Sequence, residues 1–303
     1  MSKLFTNAVL VLPDRLLENG WLLENGGKNC RYGTGAAPQA DETVDCGGNY
    51  LAPGFIDVHC HGGGGGSFGK CELDEHVKAM KAHLRHGTTA MTPTGGTDKV
   101  EEMKKLAQIK SQIDAMDDVP HHLGFFMEGP FTQPHPDMKM GDDKAPVLTP
   151  ELYEDLLKEA KGVVNRWMAA PELEGGMEFG RALREAGITG CMGHSNATFA
   201  QIEEAMRNGY SCVVHLYSVM STVTRDNGFR RGGLVEAGLL LDDLDVEIIC
   251  DGCHLPPELI RLAVKCKGYD KLMLVSDCGP LGGYPEGEYE VDFGPIQVKV
   301  FIE

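Results

Sequence analysis

The sequence lacks several features that mark common classes of protein. No apolar run approaches the ~20 residues needed to cross a bilayer, and the N-terminus, MSKLFTNAVLVLPDR, lacks the apolar core and cleavage site of a signal peptide. Positive charge is scarce, since 28 Lys and Arg stand against 45 Asp and Glu, giving a net charge of −17. That charge argues against nucleic acid or an anionic membrane as a partner. We expect a cytoplasmic protein.

A disulfide framework is also missing. The spacing of the ten cysteines fits no compact set of bridges, and Cys191, Cys212 and Cys250 lie within apolar runs, where free cysteine behaves as a small core residue. The rest of the composition, 42% hydrophobic and 24% charged, is that of a globular protein whose 303 residues can bury a full core.

From residue 51 onward, apolar strand-like runs alternate with amphipathic segments of helical length. The runs are Phe55–Cys60, Thr88–Thr92, Leu123–Glu128, Val163–Ala169, Ile188–Gly193, Ser211–His215, Val246–Cys250 and Leu272–Ser276. The clearest helical segments are Asp74–His86, Asp98–Met116, Thr198–Asn208 and Pro256–Lys267. Eight strands that alternate with helices predict a (β/α)8 barrel of the TIM type. The first strand is not followed by the G-x-G-x-x-G turn typical of open doubly wound sheets.

Two β-rich segments flank the predicted barrel. Residues 1–50 alternate short apolar runs with Gly and Asn turns, which predicts the first part of a small β domain. Residues 279–303 become Gly-rich and then finish in an alternating strand, PIQVKVFIE. The predicted fold is therefore α/β, with a barrel at residues 51–278 and a small β-sandwich built from the N-terminus and the C-terminal tail.

The predicted strand ends are rich in metal ligands, and in such barrels functional side chains lie at the C-terminal ends of the strands. The first strand ends in His59 and His61, which share a face because alternate strand residues do so, and the glycines Gly62–Gly66 follow. The other strand ends carry Glu128, His194, His215, Asp251 with His254, and Asp277. Each residue alone could be a cap or a core histidine. Together they predict a shared site for a divalent ion, zinc or a similar metal such as iron.

This set of side chains suits one kind of chemistry. A divalent ion held by imidazoles and carboxylates activates water and polarises a carbonyl. A further carboxylate, Asp277, could take the proton of the water and pass it to a leaving amine. The residues thus predict hydrolysis of an amide or a related bond.

The same segments resemble the amidohydrolase superfamily and, within it, the N-acetylglucosamine-6-phosphate deacetylase family. The motifs that carry the resemblance are APGFIDVHCHGG, HGTTAMTPT, MEGPF, AAPE, GHSNAT, HLYSVM, GFRRGGLVEAGL, DGCH and LVSDC, in the order of the family. The resemblance implies an enzyme of amino-sugar catabolism that converts N-acetylglucosamine 6-phosphate to glucosamine 6-phosphate and acetate.

The resemblance also implies which residues hold metal. Glu128, His194 and His215 would hold the main ion, and His59 with His61 would hold a second. One or two ions would therefore bind per subunit, with zinc expected first and iron or manganese as alternatives.

Further roles follow from the same resemblance. Asp277 would be the catalytic acid and base, and His254 would lie near the sugar and the reacting amide. Ser218 and Val219 match the loop that binds the sugar phosphate, and Arg225 and Arg230 follow that loop. A homodimer is implied, since a partner subunit supplies a phosphate-binding arginine in the family.

Three departures from the family pattern leave alternatives open. Ser218 stands where the family usually has Asn, and Asp143 falls near a histidine that contacts the sugar. The chain also ends before family members do, so we expect it to be truncated, without the helix that closes the barrel. The alternatives are a deacetylase of another N-acyl amino sugar, a cyclic amidohydrolase, and an inactive sugar-phosphate-binding relative. Cyclic amidohydrolases commonly use a carboxylated lysine as bridging ligand; Glu128 at a strand end instead favours the deacetylase.

Overall fold

The structure is a computed structural model, and it describes residues 1–134, 146–293 and 296–302. Two compact units divide the chain, Met1–Phe55 and Ile56–Glu303. None of the helices in these described ranges has both the length and the apolar character needed to cross a membrane.

The first unit is a five-stranded sheet. Its strands are β1 (Ser2–Val11), β2 (Leu16–Asn25), β3 (Lys28–Thr34), β4 (Glu42–Asp45) and β5 (Tyr50–Leu51). β1 pairs antiparallel with β2 and parallel with β4 and β5, and β3 pairs with the far side of β2. On β1 the buried apolar residues are Leu4, Ala8 and Leu10. Their even spacing is that of a strand with one covered face.

The second unit alternates strands and helices. In chain order its elements are β6 (Phe55–Cys60), β7 (Gly62–Gly63), β8 (Gly66–Ser67), α1 (Leu73–Leu84), β9 (Thr88–Gly95), α2 (Val100–Ile113), β10 (His121–His122), β11 (Phe125–Glu128), α3 (Pro150–Ala160), β12 (Val164–Ala169), α4 (Gly176–Ala186), β13 (Thr189–Met192), α5 (Phe199–Arg207), β14 (Tyr210–Val213), β15 (Thr224–Asp226), β16 (Phe229–Arg231), α6 (Leu234–Leu240), β17 (Asp245–Ile249), α7 (Pro257–Lys267), β18 (Leu272–Val275), β19 (Gly287–Phe293) and β20 (Ile296–Ile302).

Eight of these strands form the wall of a barrel. Their order is β6-β9-β11-β12-β13-β14-β17-β18, with the short β10 added beside β9. The neighbours from β9 to β18 run parallel. Each predicted strand overlaps an observed one, so the predicted (β/α)8 barrel is confirmed.

The first and last strands of the barrel meet at their carboxyl ends. The backbone N–H of Asp277 donates to the carbonyl of His59, and the N–H of His61 donates to the carbonyl of Cys278, both at 2.9 Å. Farther from this edge, Ile56 and Leu274 are 60% and 67% exposed. The ring is therefore joined where the predicted ligands lie, while apolar side chains of the two strands face solvent.

The glycine run after β6 forms a tight hairpin of β7 and β8 against α1. A Cβ on Gly66 would clash with the carbonyl oxygen of Glu75, and one on Gly62 would lie 3.0 Å from Pro280 Cα. The N–H of Gly65 donates to the carbonyl of Pro280 at 2.8 Å. Glycine is needed because three backbones approach closely, and the hairpin thereby joins the first strand to the loop after the last.

The helices bury an apolar stripe against the wall. On α2 the buried residues are Met103, Leu106, Ile109 and Ile113, a spacing of three and four residues that matches the helical period. A capping box formed by Thr198 and Gln201 is present at the start of α5.

The C-terminal tail forms a sheet of its own. β19 and β20 pair antiparallel along their whole length. The expectation that residues 279–303 join the β domain of residues 1–50 stays a prediction.

Candidate metal centre

The carboxylate of Glu128 lies at the centre of a cluster of imidazoles. Glu128 ends β11, and its two oxygens lie 2.8 Å from His61 Nε2 and 2.9 Å from His215 Nε2. His59 Nε2 and His194 Nε2 are 3.4 and 3.6 Å from Oε1. One carboxylate thus contacts imidazoles from three other strand ends, as the barrel geometry requires if all five side chains point to the axis.

The cluster contains two sets of potential ligands that share Glu128. One set adds His59 and His61, the other adds His194 and His215, and the ligand atoms of each set lie within 4.8 Å of one another. Two atoms ~2.1 Å from one tetrahedral ion lie about 3.4 Å apart, close to the 2.8–3.6 Å between these nitrogens and oxygens.

A buried ring nitrogen of His59 also supports a metal site. His59 Nε2 is buried and has no hydrogen-bond partner among the described residues, although it faces the carboxylates of Glu128 and Asp277 at 3.4 Å. Buried polar atoms are normally paired, and an unpaired one needs an explanation. A divalent ion would accept this lone pair, so the residues present fit a metal centre.

Asp277 follows β18 and faces the cluster. Its Oδ1 lies 3.4 Å from His59 Nε2 and 3.3 Å from His61 Nε2. Burial raises the pKa of Asp277, but the neighbouring histidines outweigh burial and lower the pKa below its usual value. An ionised carboxylate at this position can accept a proton from a molecule held in the cluster.

The electrostatics of the cluster favour positive charge. Burial lowers the pKa of His61, but its hydrogen bonds to Asp277 and Glu128 outweigh burial and raise that pKa to about 9. Burial raises the pKa of Glu128, whereas His59 and His215 lower it well below its usual value. The carboxylates therefore stay ionised and stabilise positive charge in the cluster.

Three of these residues have a left-handed backbone. The φ angles are +44° at His194, +29° at His215 and +47° at Asp277, and Val219 has φ +47°. A β-branched residue in this region is a genuine outlier. Such conformations cost about 1–3 kcal/mol each and cluster at functional sites. At His194, His215 and Asp277 the left-handed backbone turns the chain away from the barrel wall at the residue whose side chain joins the cluster.

Glu172 supports the loop that carries His194. Its Oε2 accepts a hydrogen bond from Ser195 Oγ at 2.7 Å. Its Oε1 accepts from the N–H of Asn196 at 2.6 Å and from Gln133 at 2.9 Å. Glu172 belongs to the motif AAPE, but the sequence alone did not indicate this role.

Two buried charged residues behind His59 were not predicted from the sequence. Glu247, on β17, is fully buried, and its Oε2 lies 2.8 Å from His59 Nδ1. Arg166, on β12, forms an ion pair with the other oxygen of Glu247. The signal was a charged residue inside each of the apolar runs VNRWMA and DVEII. Charges buried in this way are paired.

Two of the predicted substrate-binding residues lie next to a ligand. Ser218 and Val219 follow β14 and are half-buried, and the N–H of Ser218 donates to the carbonyl of His215 at 2.9 Å. This segment is therefore anchored to the cluster through the backbone. Its role toward a phosphate stays a prediction.

The other predicted substrate contacts lie elsewhere. Arg225 and Arg230 are exposed and face each other across the hairpin β15–β16, a sheet separate from the barrel wall. His254 is 49% exposed and lies 2.7 Å from Asp251. Asp143 falls outside the described residues. These four assignments stay predictions.

A family model and several curated proteins are similar to this chain over most of its length. A family model described as "Amidohydrolase family" matches residues 50–276. The N-acetylglucosamine-6-phosphate deacetylase of Bacillus subtilis (strain 168) is 29% identical over 317 residues, covering 99% of this chain and 76% of that protein. The enzyme of the same name from Bos taurus is 32% identical over 281 residues, covering 86% of this chain and 64% of that protein. Across eight curated relatives, the chain spans 61 to 76% of their length.

Solved structures show the same similarity. The N-acetylglucosamine-6-phosphate deacetylase of Pasteurella multocida superposes with a TM-score of 0.81 at 28% identity, covering 92% of this chain and 72% of that one. A mutant of the Mycobacterium smegmatis enzyme, solved in complex with N-acetyl-D-glucosamine-6-phosphate, gives a TM-score of 0.79 at 27% identity, covering 95% of this chain and 74% of that one.

Proposed function

This chain belongs to the amidohydrolase family, and from that membership we propose that it hydrolyses the acetamide of N-acetylglucosamine 6-phosphate. The products would be glucosamine 6-phosphate and acetate. The observation that carries the proposal is the convergence of four imidazoles on the carboxylate of Glu128, with Asp277 beside two of these imidazoles. Relatives named N-acetylglucosamine-6-phosphate deacetylase, which align with 82 to 99% of the chain, support the choice of substrate.

The family implies a divalent metal, and we propose that it is zinc, with iron or manganese as alternatives that the same donors accept. Glu128, His194 and His215 would hold the main ion, and His59 with His61 would hold a second one beside the shared carboxylate. When bound, the metal polarises the amide carbonyl and activates water for attack.

Proton transfer would belong to Asp277. Its Oδ1 lies beside both histidines of the first strand, within reach of a water held at the cluster. It would accept the proton of this water as the new C–O bond forms. It would then give the proton to the amine nitrogen as the C–N bond breaks, because an unprotonated amine anion is a poor leaving group.

Recognition of the sugar phosphate would use the loop after β14. Ser218 and Val219 would contact the phosphate, and Arg225 and Arg230 would supply cations, with one arginine reaching a partner subunit in a homodimer. Local arginines are needed because the chain carries a net charge of −17 and guanidinium groups match phosphate geometry. His254 would contact the sugar. The homodimer and the cytoplasmic location are part of this proposal.

Acetate release across a panel of substrates tests the proposed function. The metal-loaded protein is given several N-acetyl hexosamines, each with and without the 6-phosphate. We expect the highest kcat/KM for N-acetylglucosamine 6-phosphate, with a loss of about 10- to 100-fold when the phosphate is removed, the value of charged hydrogen bonds.

Two outcomes would point away from this substrate. A higher kcat/KM for another N-acyl sugar would favour the alternative deacetylase, which Ser218 and Asp143 suggest. Tight binding of the sugar phosphate with no acetate from any substrate would indicate a binding protein and refute the enzyme.

A further inference from the structure

Behind the candidate metal centre, one buried carboxylate contacts a single ligand side chain. Glu247 Oε2 lies 2.8 Å from His59 Nδ1 and also accepts the backbone N–H of His215 at 3.3 Å. Its other oxygen pairs with Arg166. Both His59 and Glu247 are fully buried, so water does not compete for these contacts.

This contact decides which ring nitrogen of His59 carries hydrogen. A guanidinium is always charged, so the partner of Arg166 remains a carboxylate, which can only accept hydrogen bonds. His59 Nδ1 must therefore be the donor. In the neutral ring the lone pair is then on Nε2, the buried nitrogen that faces the cluster and has no hydrogen-bond partner in the described part of the chain.

Arg166 makes it possible to bury this carboxylate and also positions the strand. An unpaired carboxylate in the barrel interior would be costly, and the guanidinium compensates it. Arg166 also donates to the carbonyl of Val58 at 2.8 Å and to Cys212 Sγ at 3.2 Å, and it lies 4.7 Å from the centre of the Phe126 ring. Because Val58 immediately precedes His59, the arginine fixes the backbone of the ligand while Glu247 fixes its ring.

We propose that Glu247 and Arg166 are positioning residues that hold His59 in the Nδ1–H tautomer and thereby set the affinity of the His59–His61 metal position. The assignment deepens the proposed function and rests on it only in requiring that this cluster binds a divalent ion. Partners of metal-bound histidines commonly change metal affinity in this way. The other ligand set is supported by a different carboxylate, Glu172, behind the loop of His194.

The test measures metal binding without any sugar. Zinc is titrated into the wild-type chain and variants against a competing chromophoric chelator. We expect Glu247→Gln to weaken one zinc equivalent by about 10- to 100-fold. Glu178→Gln, at an exposed ion pair with Arg181 on α4, is the matched control and should bind zinc as the wild type does.

A double-mutant cycle separates positioning from general damage. In a His61→Asn background the supported position is already lost, so adding Glu247→Gln should change the remaining equivalent less than about 2-fold. An equal loss in both backgrounds would overturn the proposal. So would a wild-type chain that binds a single equivalent unaffected by His61→Asn.

Two further measurements test the proposal even if the Glu247→Gln variant does not fold. Arg166→Gln/Glu247→Gln removes both charges, so that no buried charge is left unpaired, and it should still lose the same equivalent; wild-type binding by this variant would overturn the proposal. Nitrogen NMR of 15N-histidine in the zinc-loaded wild type should show hydrogen on His59 Nδ1 and none on Nε2, assigned with His59→Asn, and hydrogen on Nε2 would overturn the proposal. A chain that passes these tests but releases no acetate would refute only the proposed function.

Discussion

His122 is a buried, uncharged imidazole whose protonation should destabilise the protein in acid. Its side chain is 2% exposed, its Nδ1 accepts the N–H of Gly124 at 3.1 Å, and its ring meets Phe125 edge to face at 4.5 Å. Burial, followed by the charge of Lys110, lowers the pKa of His122 from 6.5 to about 3, against a smaller opposing effect of Asp114.

The sign and size of the effect follow from proton linkage. Below pH 6.5 the unfolded chain binds a proton at His122, whereas the folded protein does not until about pH 3. Stability that is fully present above pH 6.5 is therefore lost as the pH falls toward 3. At pH 5 the loss is about 2 kcal/mol relative to pH 8, from about 1.5 pH units at about 1.36 kcal/mol each.

Urea unfolding of the wild type and of His122→Asn at pH 8 and pH 5 measures this effect. Asparagine keeps an acceptor for the Gly124 N–H but cannot titrate. From pH 8 to pH 5, the free energy of unfolding of His122→Asn should therefore fall by about 2 kcal/mol less than that of the wild type. Histidines of the metal centre contribute equally to both proteins and cancel. His121→Asn, at the exposed neighbour, should keep the wild-type pH dependence. Equal pH dependence in wild type and His122→Asn would refute the reasoning.

Three further outcomes are expected. Asp277→Asn should lower kcat for acetate release by about 10²- to 10⁴-fold while metal content stays at the wild-type level; turnover near that of the wild type would exclude Asp277 as the acid and base. Glu128→Gln should lose metal from both positions, because both ligand sets contain this carboxylate; metal analysis showing full occupancy would contradict the shared role. Gly66→Ala should destabilise the fold by about 1–3 kcal/mol in thermal unfolding, since its Cβ meets the carbonyl of Glu75. Gly69→Ala, whose Cβ lies 3.6 Å from its nearest neighbour, is the control, and an equal effect of both changes would remove the steric explanation.

The barrel could be predicted because its strands have a strong local pattern. Runs such as Val163–Ala169 and Val246–Cys250 are apolar because these strands of the wall are covered on both faces, and Gly or polar residues bound them. Short elements were missed for the opposite reason. β10 has two residues and the hairpin β15–β16 three per strand, too few for any periodicity to appear.

The ligands of the candidate site were also accessible to sequence reasoning, because barrel geometry brings strand ends together. Asp277 and Glu128 are far apart in the chain but become neighbours by this rule alone. The contact between Arg166 and Glu247 was not accessible, since it depends on which residues of two strands lie at the same height inside the barrel. That height is set by strand register, which a single sequence does not reveal.

The bonds between the first and last strands also determine when the site is completed during synthesis. His59 and Asp277 are joined through the backbone, and most of the barrel sequence separates them. A ribosome releases the first-strand histidines long before the segment of Asp277, so the emerging chain must keep them available until the eighth strand arrives. Closing such a long loop is slow because its entropy must be lost before the contact forms. Glu128, His194 and His215 emerge earlier, so a partly synthesised chain can bring these candidate ligands together before it acquires Asp277, the proposed acid and base. Hydrolytic activity would then appear only with the last strand of the ring.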